Sequence, residues 1–412
     1  MTVNSSAAFY ETRWRLVLMA LGVYEATYLA GAFSQSNVWN GLGVVVLFSA
    51  LVVIAPDGVF RPSRDLLRLA GWPLLTMGIA TVINPANSSV YALIKFSSFY
   101  ALFVVLGTAL PYAVSASKQF NLFRALVIFP ILVSLVWGRK IEAAEDLRTA
   151  GVFTNANNLA LIALLIPWLA PERASRFMHL SFHGATILVI VLSSTLGALM
   201  AYVAAIVLDR FGRRSLTTLI VVLVVAIGGV AFFSDDIVAL LDHVKATQKL
   251  VVQYHVLRDN FSSLSDGTVD FGLLKSDYGD SALSGIWRLT HWLYILHLIG
   301  EGTLVQFVFG HGVGSSSSLL PTLPHNDYLR VLFEDGALGL LAWLSFLIAV
   351  LRRVATRHRY LVLAFLVYSF TENNIDNFLF MALFAALVAP SSVNQSEPVT
   401  GVSTAVYEGT AG

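Results

Sequence analysis

Long apolar stretches recur along nearly the whole chain and are separated by short polar segments. A helix that crosses a bilayer needs about 20 mostly apolar residues, whereas the strands of a membrane barrel alternate apolar and polar positions. These stretches do not alternate, so they predict an all-α bundle with about twelve transmembrane helices. The predicted spans are approximately 16–33, 38–55, 67–85, 90–112, 120–137, 157–170, 179–193, 195–208, 216–233, 336–351, 360–372 and 374–390.

Composition supports a polytopic membrane protein and excludes some chemistry. Of the 412 residues, 57% are hydrophobic and only 12% are charged, which leaves room for a large polar domain in one loop alone. The chain has no cysteine, so it has neither structural disulfides nor thiolate chemistry. Arg13 and Arg15 precede the first apolar run, and no small-residue cleavage site follows at signal-peptide distance, which indicates a retained first span.

Basic residues fall on alternate loops, and the positive-inside rule places those loops in the cytoplasm. They are Arg13, Arg15, Arg61, Arg64, Arg68, Lys118, Arg124, Arg173, Arg176, Arg210, Arg213, Arg214, Arg352, Arg353, Arg357 and Arg359. The opposite, external side then carries the 138–156 loop and a long loop from Ser234 to Asp335. We therefore expect a multi-pass protein of the bacterial inner (plasma) membrane, with both termini in the cytoplasm and the long loop in the periplasm.

This orientation divides the chain into four parts. Residues 1–233 form transmembrane helices 1–9, 234–335 form a periplasmic helical loop with the candidate site, 336–390 form helices 10–12, and 391–412 form a disordered cytoplasmic tail rich in Ser, Thr and Gly. Within the loop, Asp236 to Leu264 has the spacing of an amphipathic helix, and Ser284 to Phe309 has that of a second helix.

The second loop helix carries Arg288 and His291, which are three residues apart and share a face, among Trp287, Trp292 and Tyr294. A guanidinium matches phosphate oxygens bidentately and keeps its charge, so Arg288 suits a lipid pyrophosphate. The alternatives are interfacial snorkelling and a structural salt bridge, and the spacing leaves all three open.

Two further polar stretches follow in the loop. Gly310 to Gly314, with four serines after it, suits either a backbone nest for phosphate or a flexible linker. Pro324 suits the first turn of a helix, which would put His325 and Asn326 where N–H groups favour an anion. Arg330 and Glu334 are four apart and are expected to pair. The alternative interpretation is that this stretch is only the capped, solvent-exposed start of a helix.

Ionisable groups also occur inside predicted spans. Glu25 and Lys95 either pair with each other or serve in translocation of a proton or substrate. Motifs of zinc proteases, metal-dependent nucleotide-sugar transferases and serine hydrolases are absent from the sequence, so we expect neither a metal nor a cofactor.

An ordered set of motifs lies between about 150 and 390. The most specific is the block His325-Asn326-x-x-Leu329 with Glu334-x-Gly336-x-x-Gly339, and the supporting motifs are Gly151 to Asn158, Ser193 to Ala198, Trp287-Arg288 and Gly310-x-Gly312-x-Gly314. In content and order this set resembles the O-antigen ligase and O-antigen polymerase superfamily of bacterial polysaccharide assembly.

The resemblance implies a metal-independent C-type glycosyltransferase that uses undecaprenyl-pyrophosphate-linked glycans. By position, Arg288 would stabilise the departing pyrophosphate, and His325 would orient or deprotonate the acceptor or contact phosphate. Leu196 stands where many relatives carry an arginine, so Arg148 and Arg330 are the candidates for a second phosphate-binding arginine. Further substrate-binding candidates are Asn326, His291, Gly312, Gly314 and Asn157.

The acceptor distinguishes a polymerase, which extends a lipid-linked repeat, from a ligase, which transfers glycan to the lipid A core. The long loop carries more acidic than basic residues, which disfavours an anionic lipid A core and favours a polymerase of exopolysaccharide or O-antigen. Expected partners are the lipid-linked donor, the acceptor, membrane lipid and a chain-length co-polymerase, without nucleic acid. A polysaccharide or lipid transporter, or flippase, is the alternative from another class.

Overall fold

The structure of the protein is a computed structural model, and it describes most of the chain outside the first half of the long loop and the C-terminal tail. The described residues are 3–34, 38–54, 64–109, 117–137, 140–143, 146–149, 153, 155–170, 175–193, 195–211, 255–256, 258, 280–354 and 359–391. The predicted span 216–233 and most of the predicted amphipathic helix at Asp236 to Leu264 lie outside these residues, as does the tail from 392 onward.

Helices account for nearly all of the described chain. They are α1 (Val3–Ser34), α2 (Val38–Ile54), α3 (Arg64–Ile83), α4 (Val90–Ala109), α5 (Ser117–Trp137), α6 (Ala156–Ala163), α7 (Arg176–Leu192), α8 (Leu196–Phe211), α9 (Asp280–Glu301), α10 (Leu304–Phe309), α11 (Ser316–Leu319), α12 (Asp327–Arg353), α13 (Arg359–Tyr368) and α14 (Phe378–Ser391). Short 3-10 helices occur at Ile166–Leu169 and Asn374–Asp376.

The described chain is almost entirely helical, as expected, and its only described strands form an antiparallel β-hairpin in the 138–156 loop. Strands β1 (Lys140–Ala143) and β2 (Asp146–Thr149) pair so that Ile141 lies opposite Arg148. Polar and apolar residues alternate in β1, which is the period of a strand, whereas β2 has a single apolar residue, Leu147. The local sequence therefore gives only a partial signal for the hairpin.

Among the described residues, three helices are long and apolar enough to cross a membrane: α3, α4 over Val90–Gly107, and α12. Shorter apolar helices accompany them, and the chain is an α-helical membrane protein. The predicted span 157–170 is divided, because α6 ends at Ala163 and a 3-10 turn follows with Pro167 in its first turn. Proline lacks the N–H that would continue an α-helix, so the division has a local cause.

The predicted span 336–351 is part of a longer helix that begins at Asp327, and Gly336 forms a kink inside it. The expectation that Pro324 occupies its first turn was wrong, since Asn326 is the N-cap and its side chain accepts from the Leu329 N–H at 3.1 Å. An N-cap asparagine satisfies a helical N–H that has no partner within the helix. His325 consequently precedes the helix and is not part of it.

Aromatic side chains fill the centre of the bundle. The Phe346 ring of α12 packs edge-on against Phe103 of α4, with ring centroids 4.9 Å apart. Helix α4 also packs against α14, α3 against α12, and α8 against α13. Gly197 permits close packing at the start of α8, because a Cβ at this position would lie 2.9 Å from the Oγ1 atom of Thr371, in the loop after α13. The start of α8 is thereby held against the loop that follows α13.

Candidate functional site

The loop between α13 and α14, residues 369–377, is held firmly against the start of α12. The Asp327 backbone N–H donates to the Ser369 carbonyl at 2.8 Å, and the Asp327 carboxylate accepts from the Asn374 N–H at 3.0 Å. Asp327 is completely buried. These bonds fix the position of Glu372, which lies in the middle of the loop.

Three side chains from distant parts of the sequence converge on the Glu372 carboxylate. The Oε1 atom accepts from Arg288 Nη2 at 2.7 Å and from Asn157 Nδ2 at 2.5 Å. The Oε2 atom lies 3.2 Å from His325 Nδ1. We call Asn157, Arg288, His325 and Glu372 the Glu372 cluster. It joins the starts of α6 and α12 to α9 and the 369–377 loop.

The tautomer of His325 follows from its neighbour. An ionised carboxylate only accepts hydrogen bonds, so Nδ1 of the imidazole carries the hydrogen and, in the neutral ring, Nε2 is the acceptor. His325 has a φ of +50°, a left-handed conformation that non-glycine residues rarely adopt. The preceding turn is anchored by Trp292, whose Nε1–H donates to the Pro324 carbonyl at 2.7 Å. Backbone strain of this kind is concentrated at functional sites.

Trp287 and His291 form one wall of the Glu372 cluster. The Trp287 ring lies edge-on to His325 at 5.7 Å and is stacked on His291 at 5.2 Å. His291 is buried, and its Nε2 lies 3.1 Å from the Thr322 carbonyl, which can only accept a hydrogen bond. Burial lowers the pKa of His291, and the nearby His325 lowers it further, although the bond to Thr322 opposes both effects. A lowered pKa favours the neutral ring at neutral pH.

Two of the glycines expected to approach phosphate instead approach other parts of the protein. The Gly314 N–H donates to Glu334 Oε2 at 2.8 Å, so a carboxylate of the protein already occupies this position. Gly312 has a φ of +108°, and a Cβ there would lie 2.4 Å from Ser88 Oγ. The structure accounts for both glycines through close packing of the loop against the segment after α3 and against α12.

Arg330 does not join the Glu372 cluster. Its side chain is buried, with Nε 3.0 Å from Glu334 Oε1, which confirms the expected pair. Its Nη1 lies 3.3 Å from Asp376 Oδ1, and Lys95 Nζ lies 2.7 Å from that same oxygen. We call Lys95, Arg330, Glu334 and Asp376 the Arg330 cluster. Lys95 is thus paired with Asp376 and not with Glu25, contrary to one of the expectations for these intramembrane charges.

The other candidates lie in different settings. Arg148 is on β2, opposite Ile141, and its side chain is outside the described atoms. Asn326 is buried and caps α12. His311 is stacked on Phe333 at 4.3 Å and its Nδ1 lies 3.1 Å from the Phe333 carbonyl. Of the predicted site residues, the structure therefore brings together Arg288, His325, Asn157 and, through Trp287, His291.

Sequence reasoning missed Glu372, which is the centre of the cluster, and the positioning roles of Asp327 and Asp376. A signal was present, since the polar run from Thr371 to Asn377 interrupts two apolar stretches. The twelve-span prediction places this polar run at the junction of the spans 360–372 and 374–390, where it has no predicted chemical role. Within the part of the chain that the structure describes, no group of three or more His, Cys, Asp or Glu side chains could hold a metal ion.

The chemistry open to this arrangement is narrow. Arg288 and His325 are about a quarter to a third exposed, whereas Glu372 is only 9% exposed. A guanidinium offers five N–H donors, and Glu372 uses one of the two on Nη2. The exposed part of the cluster thus presents fixed cationic donors for an anion and an imidazole nitrogen for a proton.

The chain matches no family model and no curated protein. Any assignment of activity therefore depends on the cluster itself and on the motif resemblance.

Proposed function

We propose that the protein is a membrane glycosyltransferase that polymerises undecaprenyl-pyrophosphate-linked glycans on the periplasmic face of the inner membrane. The observation that carries the proposal is the convergence of Arg288 and His325 on Glu372. These two residues are those to which the O-antigen ligase and polymerase resemblance gives catalytic roles. Their shared contact with one carboxylate, despite their separation in sequence, is what a shared site requires.

Arg288 is the proposed phosphate-binding residue. Glu372 holds the guanidinium in one orientation before substrate arrives, so its remaining donors are preorganised for the oxygens of a pyrophosphate. Preorganised cations stabilise the charge that develops on a leaving group without reorganisation during the reaction. Because Glu372 already neutralises Arg288, anion binding in this site depends on directed hydrogen bonds more than on net charge.

His325 is the proposed general base. With Nδ1–H directed to Glu372, its Nε2 takes the proton of an acceptor hydroxyl, as in other carboxylate–histidine pairs. The acceptor oxygen bonds to the anomeric carbon of the donor sugar, and the bond from that carbon to the pyrophosphate oxygen breaks. Undecaprenyl pyrophosphate leaves with its bonding electrons, and Arg288 stabilises the new charge.

The location of the site fits the proposed topology. We assign about twelve spans, cytoplasmic termini and a periplasmic long loop, as the basic residues indicate. Residues from α9, the start of α12 and the end of α13 meet in the cluster, so it lies at the end of the bundle where the long loop rejoins the membrane. A donor held by its lipid tail would meet such a site at the bilayer surface.

A polymerase is favoured over a ligase by the acidic excess of the long loop, and a deletion strain distinguishes them. Loss of a polymerase leaves surface polysaccharide truncated to single repeats. Loss of a ligase leaves long polymer on the carrier lipid and bare lipid A core. Long carrier-linked polymer would overturn the polymerase assignment.

The central experiment uses the purified protein in detergent with undecaprenyl-pyrophosphate-linked repeats and excess chelator. We expect chain extension by the wild-type protein and none by Arg288→Ala, with equal thermal stability. Arg352→Ala, an exposed arginine in the last turn of α12, is the matched control and should retain full activity. Full activity of Arg288→Ala, or a strict requirement for a divalent ion, would contradict the mechanism.

A further inference from the structure

Helix α10 exposes apolar side chains at half of its positions. It has only six residues and none of them is buried, with Leu304 77%, Val305 50% and Phe307 46% exposed. The helix carries no charged residue. An exposed apolar patch on a defined element indicates a binding partner or a membrane contact.

The neighbours of α10 are two of the candidate membrane spans. Asn84, at the end of α3, donates from Nδ2 to the Gly310 carbonyl at 3.0 Å, directly after α10. On the other side, a Cβ at Gly336 of α12 would lie 2.4 Å from the Val308 carbonyl. Helix α10 is therefore packed against α3 and α12 at the level of these two contacts.

Helices α3 and α12 both expose apolar residues close to their contacts with α10. Val82 of α3 is 79% exposed and lies two positions before Asn84. Leu338 of α12 is 42% exposed and lies two positions after Gly336. The two spans that pack against α10 therefore also expose apolar side chains close to these contacts.

We propose that α10 is immersed in the hydrocarbon of the bilayer, and that the occupant of its exposed face is the acyl chains of membrane lipid. A helix is tolerated there only if its backbone groups are satisfied. Thr303 and Gln306 form a capping box at its start, and the Gly310 N–H donates to the Gln306 carbonyl at 2.7 Å at its end. Immersion in hydrocarbon also explains why this segment of the expected periplasmic loop carries no charged residue.

The polar boundary lies immediately before α10. His297 Nε2 and Glu301 Oε1, in the last turns of α9, lie 3.2 Å apart, and both side chains are exposed. The exposed carboxylate of Glu301 places the end of α9 in the headgroup region or in water, because charged groups are costly in hydrocarbon. The crossing from water to lipid therefore falls between Glu301 and Leu304. This membrane contact is independent of whether the site transfers glycosyl groups.

Spin labelling tests the boundary directly, since the chain has no cysteine and each single cysteine is unique. Leu304→Cys, Glu301→Cys and Val82→Cys are labelled with a nitroxide in the full-length protein. Each is reconstituted in vesicles of phosphatidylethanolamine and phosphatidylglycerol. Collision rates with oxygen, which partitions into lipid, and with a water-soluble nickel chelate are then compared. Val305→Cys is a second α10 variant in case Leu304→Cys does not fold.

We expect the labels at 304 and 82 to share a ratio of oxygen to nickel accessibility at least several-fold above that at 301. A label at 304 that matches 301 would place α10 in water and overturn the proposal. Low accessibility to both reagents, with dipolar broadening between labels at 304, would show a second copy of the chain on this face. That result would overturn it as well.

Discussion

Two arginine–glutamate pairs in the described part of the chain have similar geometry and different surroundings. Arg288 and Glu372 are 84 residues apart and their side chains are 27% and 9% exposed. Arg330 and Glu334 are four apart on one helix and are only 4% and 3% exposed. Distance alone does not distinguish them, since their N···O distances are 2.7 and 3.0 Å. Exposure does, because only Arg288 has donors that an incoming ligand could reach.

The buried pair also supports the exposed one. Asp376 belongs to the same loop as Glu372 and contacts both Arg330 and Lys95. The positive charges of Arg330 and Lys95 lie 3.3 and 2.7 Å from Asp376 Oδ1 and favour its ionised form. Asp376 therefore remains ionised and keeps its attachment to the bundle. The comparison distinguishes Arg288, for which we propose a role in substrate binding, from Arg330, which holds the 369–377 loop in place.

The largest expected effect comes from Arg330→Ala. It removes one partner from a buried network and leaves the Glu334 carboxylate uncompensated. Loss of one member of a buried ion pair typically costs about 3–5 kcal/mol. We expect a large fall in the midpoint of thermal unfolding in detergent and poor recovery of folded protein.

Arg288→Ala is the matched comparison for this experiment, because it removes the same side chain from a partly exposed pair. Its unfolding midpoint should stay close to that of the wild-type protein. If the two variants lost equal stability, exposure would not separate the two pairs and the distinction between them would fail.

Sequence reasoning could identify Arg288, His325 and Asn157, because each lies in a motif or a polar interruption of an apolar pattern. It could also predict the Arg330–Glu334 pair, since an i,i+4 contact is local. It could not predict Glu372 as the common partner, nor Asp376 as the partner of Lys95. Those contacts join residues 47 to 281 positions apart, and no local periodicity encodes such distances.

The next prediction concerns His325, which shares the Glu372 carboxylate with Arg288. Asparagine tolerates left-handed backbone better than most residues, so His325→Asn keeps the turn and removes the base. We expect turnover to fall by a factor of about 100 or more, as is usual for a lost general acid or base, with little change in thermal stability. Glycan extension by the purified protein is the measurement.

His325→Gly with added imidazole is the companion test, because glycine also accepts the backbone conformation and leaves space for the free base. Partial recovery of turnover by imidazole, and none by an equal concentration of a non-basic analogue, is the expected outcome. Unchanged turnover in both variants would leave His325 as a residue of the turn and not of the reaction.

Asn157→Ala should have a smaller effect. Its amide donates to Glu372 at 2.5 Å, and hydrogen bonds to charged groups contribute about 1.5–3 kcal/mol. Glu372 keeps Arg288 and His325 as partners, so we expect the lower end of this range, which corresponds to roughly a tenfold loss of turnover. Asn158→Ala, at the adjacent position, is the control. A loss as large as that of His325→Asn would mean that Asn157 itself contacts the substrate.

The smallest expected effect is that of Lys95→Met, in the Arg330 cluster, on thermal stability. Lys95 pairs with Asp376 at 2.7 Å, but the Asp376 side chain is 36% exposed, so water screens the lost charge. Arg330 remains beside the same carboxylate at 3.3 Å. Partly exposed ion pairs typically contribute up to about 1 kcal/mol, and we expect a fall in thermal stability of that order, far below that of Arg330→Ala. Measurement of both variants in the same detergent decides the point. Equal losses would show that Lys95, and not Arg330 alone, keeps Asp376 and the Glu372 loop in place.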